Sequence, residues 1–180
     1  MHLAFVVPGV LFPEKSVSRI DAEDALLTFR TNTIGPMLVL KHFNQFIPTK
    51  SFPAYQERAA EIVGLPPIAK VALMSARVGS ISDNKLGGWY SYRASKAGVN
   101  QVAKTFDNHL LSAAGDRAMC VALHPGTAKT DLSKAFWKNV KEGKLLEPDF
   151  VAERLFDVVK SVGLKGRGRC WDYLGKEVMP

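Results

Sequence analysis

Short, dominantly apolar runs recur along this chain with long amphipathic stretches between them: LAFVV at 3–7, IAKVALMSA at 68–76, AMCVALHPG at 118–126 and RCWDYL at 169–174. Runs that are apolar at nearly every position, not at every second one, read as strands buried on both faces. The intervening stretches repeat their apolar residues at helical spacing. Strand, helix, strand, helix, strand, helix, strand means an α/β architecture, a parallel sheet with helices on both faces. Ligands of such sheets sit at the carboxyl ends of the strands. The residues that close each apolar run are therefore the first place to look for function.

The helices can be placed by their caps and periodicity. Asp21 is the expected N-cap of the first, with Asp24 as a weak reciprocal partner. That helix should run to about Phe46, with Leu26, Leu27, Ile34, Leu38 and Phe43 as its apolar face, and Pro36 should kink it. Residues 48–67 carry four prolines and read as a loop with room for one helical turn. A glycine-punctuated loop at 77–88 leads into a second long helix, 89–113, with Val99, Val102, Phe106 and Leu110 in phase. The third, 148–162, opens at Pro148 and turns Val151, Leu155, Phe156 and Val159 to one side.

Composition narrows the class. The 180 residues fit one domain, 1–180, and 47% hydrophobic with 23% charged residues is ordinary for a globular chain. Net charge is +7, but the basic residues are scattered. KGRGR at 165–169 is short and glycine-rich, and no basic stripe with interleaved aromatics exists, so no nucleic acid partner is expected. No apolar run reaches the roughly 20 residues that span a bilayer. The opening MHLAFVVPGVLF lacks the basic lead-in and cleavage site of a signal peptide. No membrane partner and a cytoplasmic location follow as expectations. Cys120 and Cys170, both in apolar runs, are expected as buried free thiols of a reducing compartment. No metal site is assigned.

The stretch GGWYSYRASKAGVNQ, 87–101, sets Tyr92 four residues before Lys96. Positions i and i+4 share a helix face. A cation there can lower a phenol's pKa from about 10, and such a phenol can exchange a proton with an oxygen while hydride moves at the adjacent carbon. The spacing alone occurs in many helices. The surrounding residues give it weight.

YRASKAGVNQ resembles the active-site helix of the short-chain dehydrogenase/reductase family, Tyr-x-x-x-Lys with small residues between, Ser95 before the lysine and Ala97-Gly98 after it. MSARVGSISDNKLGGWYSYRASKAG is similar to the C-factor-like subgroup. LHPGTAKTDL at 123–132 resembles the family's Pro-Gly-x-x-x-Thr segment, and TNTIGPMLVLKHF at 31–43 its Asn-x-x-Gly helix. The resemblance implies a Rossmann-like doubly wound sheet and an oxidoreductase using NADP or NAD on a small-molecule carbonyl or alcohol. Tyr92 would be the general acid/base. Lys96 would bind the nicotinamide ribose and depress the tyrosine pKa. Asn32 would hold a water in a proton relay through Lys96, or else bond the backbone at the kink beside Gly35-Pro36. Pro125, Gly126, Ala128 and Thr130 would wall the nicotinamide, or else form a strand-to-helix turn capped by Thr130. Family members commonly pair through two long helices, here 22–46 and 89–113, so a homo-oligomer is expected.

Two departures stand out. The family's substrate-orienting serine lies three residues before a glycine, and counting back from Gly79 reaches Ala76. Ser75 is one position early, which in an extended strand turns the side chain to the other face. Ser75 is the candidate, with Ser80 and Ser82 in the loop as substitutes. Second, no G-x-x-x-G-x-G or G-x-G-x-x-G is present, and GLKGRGR at 163–169 precedes a strand. The family's Asn-Asn-Ala-Gly turn appears only as Val6-Val7-Pro8-Gly9, with Gly9 matching as a cofactor contact. The chain thus resembles the family from its fourth strand onward, an N-terminally incomplete domain whose LAFVV strand would form an apolar edge. It reads as part of a working reductase, or as a non-catalytic interaction protein that pairs with a full-length relative.

Overall fold

The computed structural model describes residues 1–51 and 67–180. In chain order the strands are β1 (Leu3–Val6), β2 (Ala69–Met74), β3 (Ala118–His124), β4 (Thr127–Ala128), β5 (Leu145–Leu146), β6 (Cys170–Asp172) and β7 (Glu177–Val178). The helices are α1 (Ala22–Phe29), α2 (Gly35–Phe43), α3 (Tyr90–Ala114) and α4 (Pro148–Ser161). The main sheet runs β1-β2-β3-β6-β7, parallel except for the last pair. Val71 lies opposite Cys120 and Ala72 opposite Val121. Strands β4 and β5 form a separate parallel pair.

Successive residues of β2 and β3 enter two different cores. Val71, Leu73, Cys120 and Ala122 pack with Val99, Ala103 and Leu110 of α3 and Leu40 of α2. Ala72, Met119, Val121 and Leu123 pack with Val151, Leu155, Val158 and Val159 of α4. Both faces being covered is the physical reason these strands read as continuous apolar runs. Cys120 and Cys170 are free and buried.

Lys70 is the one charge in β2, and only 2% of it is exposed. Its Nζ donates to the carbonyls of Val159 (2.6 Å), Lys160 (3.1 Å) and Val162 (2.6 Å). These carbonyls close α4, where no helical N–H remains to bond them, and the cation meets the negative end of the helix dipole. Burial brings the Lys70 pKa down to about 8. A second internal charge ties α3 to β3. Asp107 accepts from the Cys120 N–H (3.0 Å) and from Arg167 Nε (3.0 Å).

The first long helix differs from its expected form. Asp21 caps it, accepting from the Glu23 and Asp24 N–H groups, but the Asp24 side chain does not reciprocate. Where a single kinked helix was expected, a π-helical turn, Arg30–Ile34, separates α1 from α2. Pro36 supplies no N–H for the carbonyl four residues back, that of Asn32, and the ladder slips by one: Gly35 N–H bonds Arg30 O. The expected apolar face also points the wrong way. Leu26, Leu27, Ile34, Leu38 and Phe43 are 44–57% exposed, whereas Thr28, Asn32, Pro36 and Leu40 turn inward. The inward side is chosen by close approach to α3. A Cβ at Gly98 would stand 3.0 Å from Thr33 Cγ2, and Thr33 Oγ1 donates to Ser95 O at 2.9 Å.

Most of the proline-rich stretch 48–67 lies outside the described residues. Among the described residues β1 forms one edge of the sheet, with Phe5 36% and neighbouring Val7 55% exposed. The final strand is shorter than RCWDYL suggests. Asp172 Oδ1 accepts from the N–H groups of Leu174 and Lys176, turning the chain back into β7.

Candidate active site

Tyr92 and Lys96 occupy the first turns of α3, against the carboxyl end of β2. Tyr92 is 7% exposed and Lys96 2%. They share a face: Lys96 Nζ lies 5.7 Å from the Tyr92 ring centre and donates to Met74 O at 2.8 Å. No described residue hydrogen-bonds the Tyr92 hydroxyl, and its oxygen is not sealed in the interior. Burial dominates both groups. It pushes the Tyr92 pKa up to about 12 and the Lys96 pKa down to about 8. The expected acidification of the phenol is therefore absent from the chain by itself, because desolvation outweighs the nearby ammonium. At neutral pH Tyr92 holds its proton and Lys96 holds its charge.

Asn32, fully buried, binds two elements together. Its Nδ2 donates to Val10 O and Ser95 Oγ (both 3.0 Å), and its Oδ1 accepts from the Val10 N–H at 2.8 Å. Ser95 Oγ donates in turn to Tyr92 O at 2.8 Å. The amide thus bonds the backbone of the loop after β1 and a hydroxyl of α3, and not the backbone at the Gly35-Pro36 break. Gly9 lies directly over this group: a Cβ there would sit 3.5 Å from Lys96 Nζ and 3.7 Å from Asn32 Oδ1.

Ser75 is turned elsewhere. Its Oγ donates to the Lys96 carbonyl at 3.2 Å, so the hydroxyl is used between β2 and α3. Ala76, 8% exposed, faces the opposite side by strand alternation and offers no donor. Ser80 Oγ accepts from the Asp83 N–H at 3.1 Å and lies 3.3 Å from Ser82 Oγ. Ser82 Oγ donates to Pro180 O. None of the three hydroxyls is free to serve Tyr92 in this arrangement.

Pro125 and Gly126 follow β3. Gly126 has φ 73°, and a Cβ there would come within 2.8 Å of the Tyr173 ring. Ala128 belongs to β4. The Thr130 N–H bonds Ser133 Oγ at 3.3 Å, opening the short helical segment Asp131–Asn139. The strand-to-helix turn of the sequence reading is present, and a nicotinamide wall would have to be built upon it. His124, just before, has its Nδ1 enclosed without a partner. Burial first, and the Arg77 charge second, bring its pKa down to about 4, so this imidazole is neutral.

Two residues beside Tyr92 escaped sequence reasoning. Glu14, 4% exposed, accepts from the Ser91 N–H at 2.8 Å and from Ser91 Oγ. Its own carbonyl accepts from the Trp89 N–H at 2.7 Å. It caps α3 from the loop after β1, because the residue at the helix start, Trp89, has no capping side chain. Trp89 follows Gly87 and Gly88, both left-handed, and is itself left-handed at φ 52°. Its indole meets the Tyr92 ring edge-on, with centres 6.1 Å apart at 77°, and the Phe136 ring at 4.8 Å and 52°. A glutamate in a loop reads as solvated, and a cap 77 positions away leaves no local signal. The left-handed pair Gly87-Gly88 was the one available hint for Trp89.

The residues present fit the nicotinamide end of a dinucleotide in kind: a buried ammonium, a glycine over it and a phenol that no described residue hydrogen-bonds. For the pyrophosphate end this sequence offers no glycine-rich turn opening a helix. A cavity of about 400 Å³ lined by Ser161, Gly163, Lys165 and Arg169 involves none of the Tyr92 group. Among the described residues no cluster of His, Cys, Asp and Glu could hold a metal, and no helix is long and apolar enough to cross a membrane.

No family model matches the sequence. It is 33% identical over 136 residues to 1-hydroxy-2-glutathionyl-2-methyl-3-butene dehydrogenase of Rhodococcus sp. (strain AD45), covering 76% of this chain and 50% of that one. It is 29% identical over 159 residues to the C-signal protein of Myxococcus xanthus, covering 88% of this chain and 80% of the relative. Among solved structures, the carbonyl reductase Sniffer of D. melanogaster superposes on all of this chain, with a TM-score of 0.78 at 25% identity over 66% of its own length. The chain thus spans half of the dehydrogenase it matches and just under two thirds of the reductase.

Proposed function

Because this chain belongs to the short-chain dehydrogenase/reductase family, we propose that it serves NAD(P)-dependent hydride transfer between a nicotinamide and a small carbonyl or alcohol, with Tyr92 as general acid/base. The observation that carries this reading is the Tyr92 hydroxyl, unpaired by described residues, with the Lys96 ammonium one turn along the same face. When bound, the reduced nicotinamide supplies the hydride. Lys96, with one donor on Met74 O, has others for the ribose hydroxyls. In this reading Gly9, Pro125, Gly126, Ala128 and Thr130 would wall the nicotinamide.

The chain's own residues handle the proton. Tyr92, protonated at neutral pH, gives its hydroxyl proton to the substrate oxygen as the carbonyl carbon receives hydride, so the carbonyl becomes an alcohol. The tyrosinate that remains is stabilised by the Lys96 charge until a solvent proton restores it. Asn32, through Val10 and Ser95, keeps the loop after β1 and the Tyr92 turn in fixed relation. Ala76 leaves the substrate oxygen without a second donor, and a slow catalyst is expected.

The test is a titration of the chain with NADPH and with NADH, read by fluorescence of the three tryptophans, followed by turnover against a carbonyl panel. Micromolar binding and turnover that Tyr92→Phe abolishes support the reading. No binding of either dinucleotide and no turnover end it.

One observation favours a second reading, pairing with another copy or a related chain through the long helices. Leu26, Leu27, Ile34, Leu38 and Phe43 are all exposed on α1, α2 and the π-helical turn between them, and exposed apolar residues grouped in this way mark a contact surface. Sedimentation as a monomer at all concentrations, alone and with a full-length relative, would dismiss it.

A further inference from the structure

Among the described residues Trp89 is the one non-glycine residue in the left-handed region, a conformation that bulky side chains avoid and that surrounding structure must hold in place. The holding is visible. Gly87 and Gly88 deliver the chain in left-handed turns, the Trp89 N–H donates to Glu14 O at 2.7 Å, and the Glu14 carboxylate accepts from the Ser91 N–H. What this arrangement achieves is an indole placed against Tyr92 on one side and against Phe136 on the other. Phe136 comes from a separate element, the segment after Thr130. Trp89 and Phe136 are both half-buried, so each ring keeps a face that further apolar surface can cover. The adjacent Trp137 takes no part: its Nε1 donates to Ser133 Oγ at 2.8 Å. The Trp89 indole thus links the Tyr92 ring, whose hydroxyl no described residue hydrogen-bonds, to Phe136 of a second stretch of chain.

We propose that Trp89, together with Phe136, forms the specificity-determining wall of this site and selects carbonyl compounds whose carbonyl carbon bears a flat aromatic ring over saturated compounds of the same size. This rests on the reading of Tyr92 as the group that meets the carbonyl. A planar ring can lie edge-on or offset against both walls, arrangements that favour aromatic pairs beyond the area they bury. A puckered ring of equal carbon count gains the burial but not the pairing. The wall carries no charge, so it adds nothing for an acidic or basic substituent.

The probes are acetophenone and cyclohexyl methyl ketone, which share a skeleton and differ in planarity. Each is titrated into the full chain by calorimetry, without cofactor and again with NADPH, alongside an assay of NADPH oxidation. Acetophenone should bind about tenfold more tightly, the effect of two aromatic contacts. Trp89→Leu and, separately, Phe136→Leu should bring the two ketones within about twofold of each other. Phe136→Leu lies in a half-exposed segment and guards against a Trp89 variant that does not fold. Equal affinity for the two ketones, no binding of either, or a preference that survives both substitutions in folded protein overturns the proposal. A ring preference lost on substitution, with no NADPH oxidation, upholds the wall and sinks the reductase reading. NADPH oxidation without ring preference does the reverse.

Discussion

The most informative single perturbation is at Glu14. Its carboxylate, 4% exposed, receives the Ser91 N–H at 2.8 Å and the Ser91 hydroxyl. Removing it with Glu14→Ala takes away the N-terminal cap of α3, about 1 kcal/mol. It also leaves the hydroxyl of Ser91, a residue itself only 6% exposed, without its partner, at about 1–3 kcal/mol for such a loss. The sum is about 2–4 kcal/mol, a drop of roughly 4–16 °C in Tm for a domain of this size. Glu14→Gln keeps an acceptor and the shape but removes the charge from the positive end of the helix dipole, and should cost only about 1 kcal/mol. The assay is urea denaturation followed by circular dichroism, with Ser91→Ala and the double variant completing a cycle. A coupling of about 1 kcal/mol or more between the two positions is expected. Glu14→Ala costing under about 0.5 kcal/mol, or a coupling near zero, would refute the capping role.

Other outcomes follow from the same geometry. Ala76→Ser, restoring a hydroxyl on the face opposite Ser75, should raise kcat for carbonyl reduction by about 10²-fold, the usual worth of one oxygen donor; an unchanged kcat would count against the assignment of that face. Lys96 titrates near 8, so kcat/KM for reduction should hold below that pH and fall about tenfold per unit above it as the ammonium is lost. Lys96→Arg should move the falling limb beyond the accessible range, and an unmoved limb would show that another group titrates. Lys70→Met should destabilise the fold by about 2 kcal/mol through the abandoned carbonyls of Val159 and Val162, measured by the same denaturation; a neutral result would mean that relief from burying the charge cancels the lost bonds.

The sheet was legible because β2 and β3 are covered on both sides, so burial wrote itself into nearly every residue of those runs, the charged Lys70 excepted. The Tyr92–Lys96 pair was legible for a similar reason, since helical spacing fixes the shared face before any tertiary contact forms. The first helix was legible in position but not in orientation. Thr28, Asn32, Pro36 and Leu40 turn inward, and polar or small residues chosen for close approach and internal hydrogen bonds do not look like a core stripe. The phenol's pKa was misjudged because sequence shows the neighbouring cation and hides the desolvation. Glu14 could not be found at all. Its partner lies across the fold, and only a folded chain makes that loop carboxylate part of a helix.

Strand β2 holds one helix at each end and on each side. Near its start Lys70 grips the final carbonyls of α4. Just past its end Ser75 fastens to the Lys96 carbonyl of α3. The two helical layers are thereby strung on a single tie rod across the sheet, and neither can slide along it without dragging the other. Amide exchange should accordingly show α3 and the last turn of α4 opening as one cooperative block, which would hold the Tyr92 turn in alignment with the sheet.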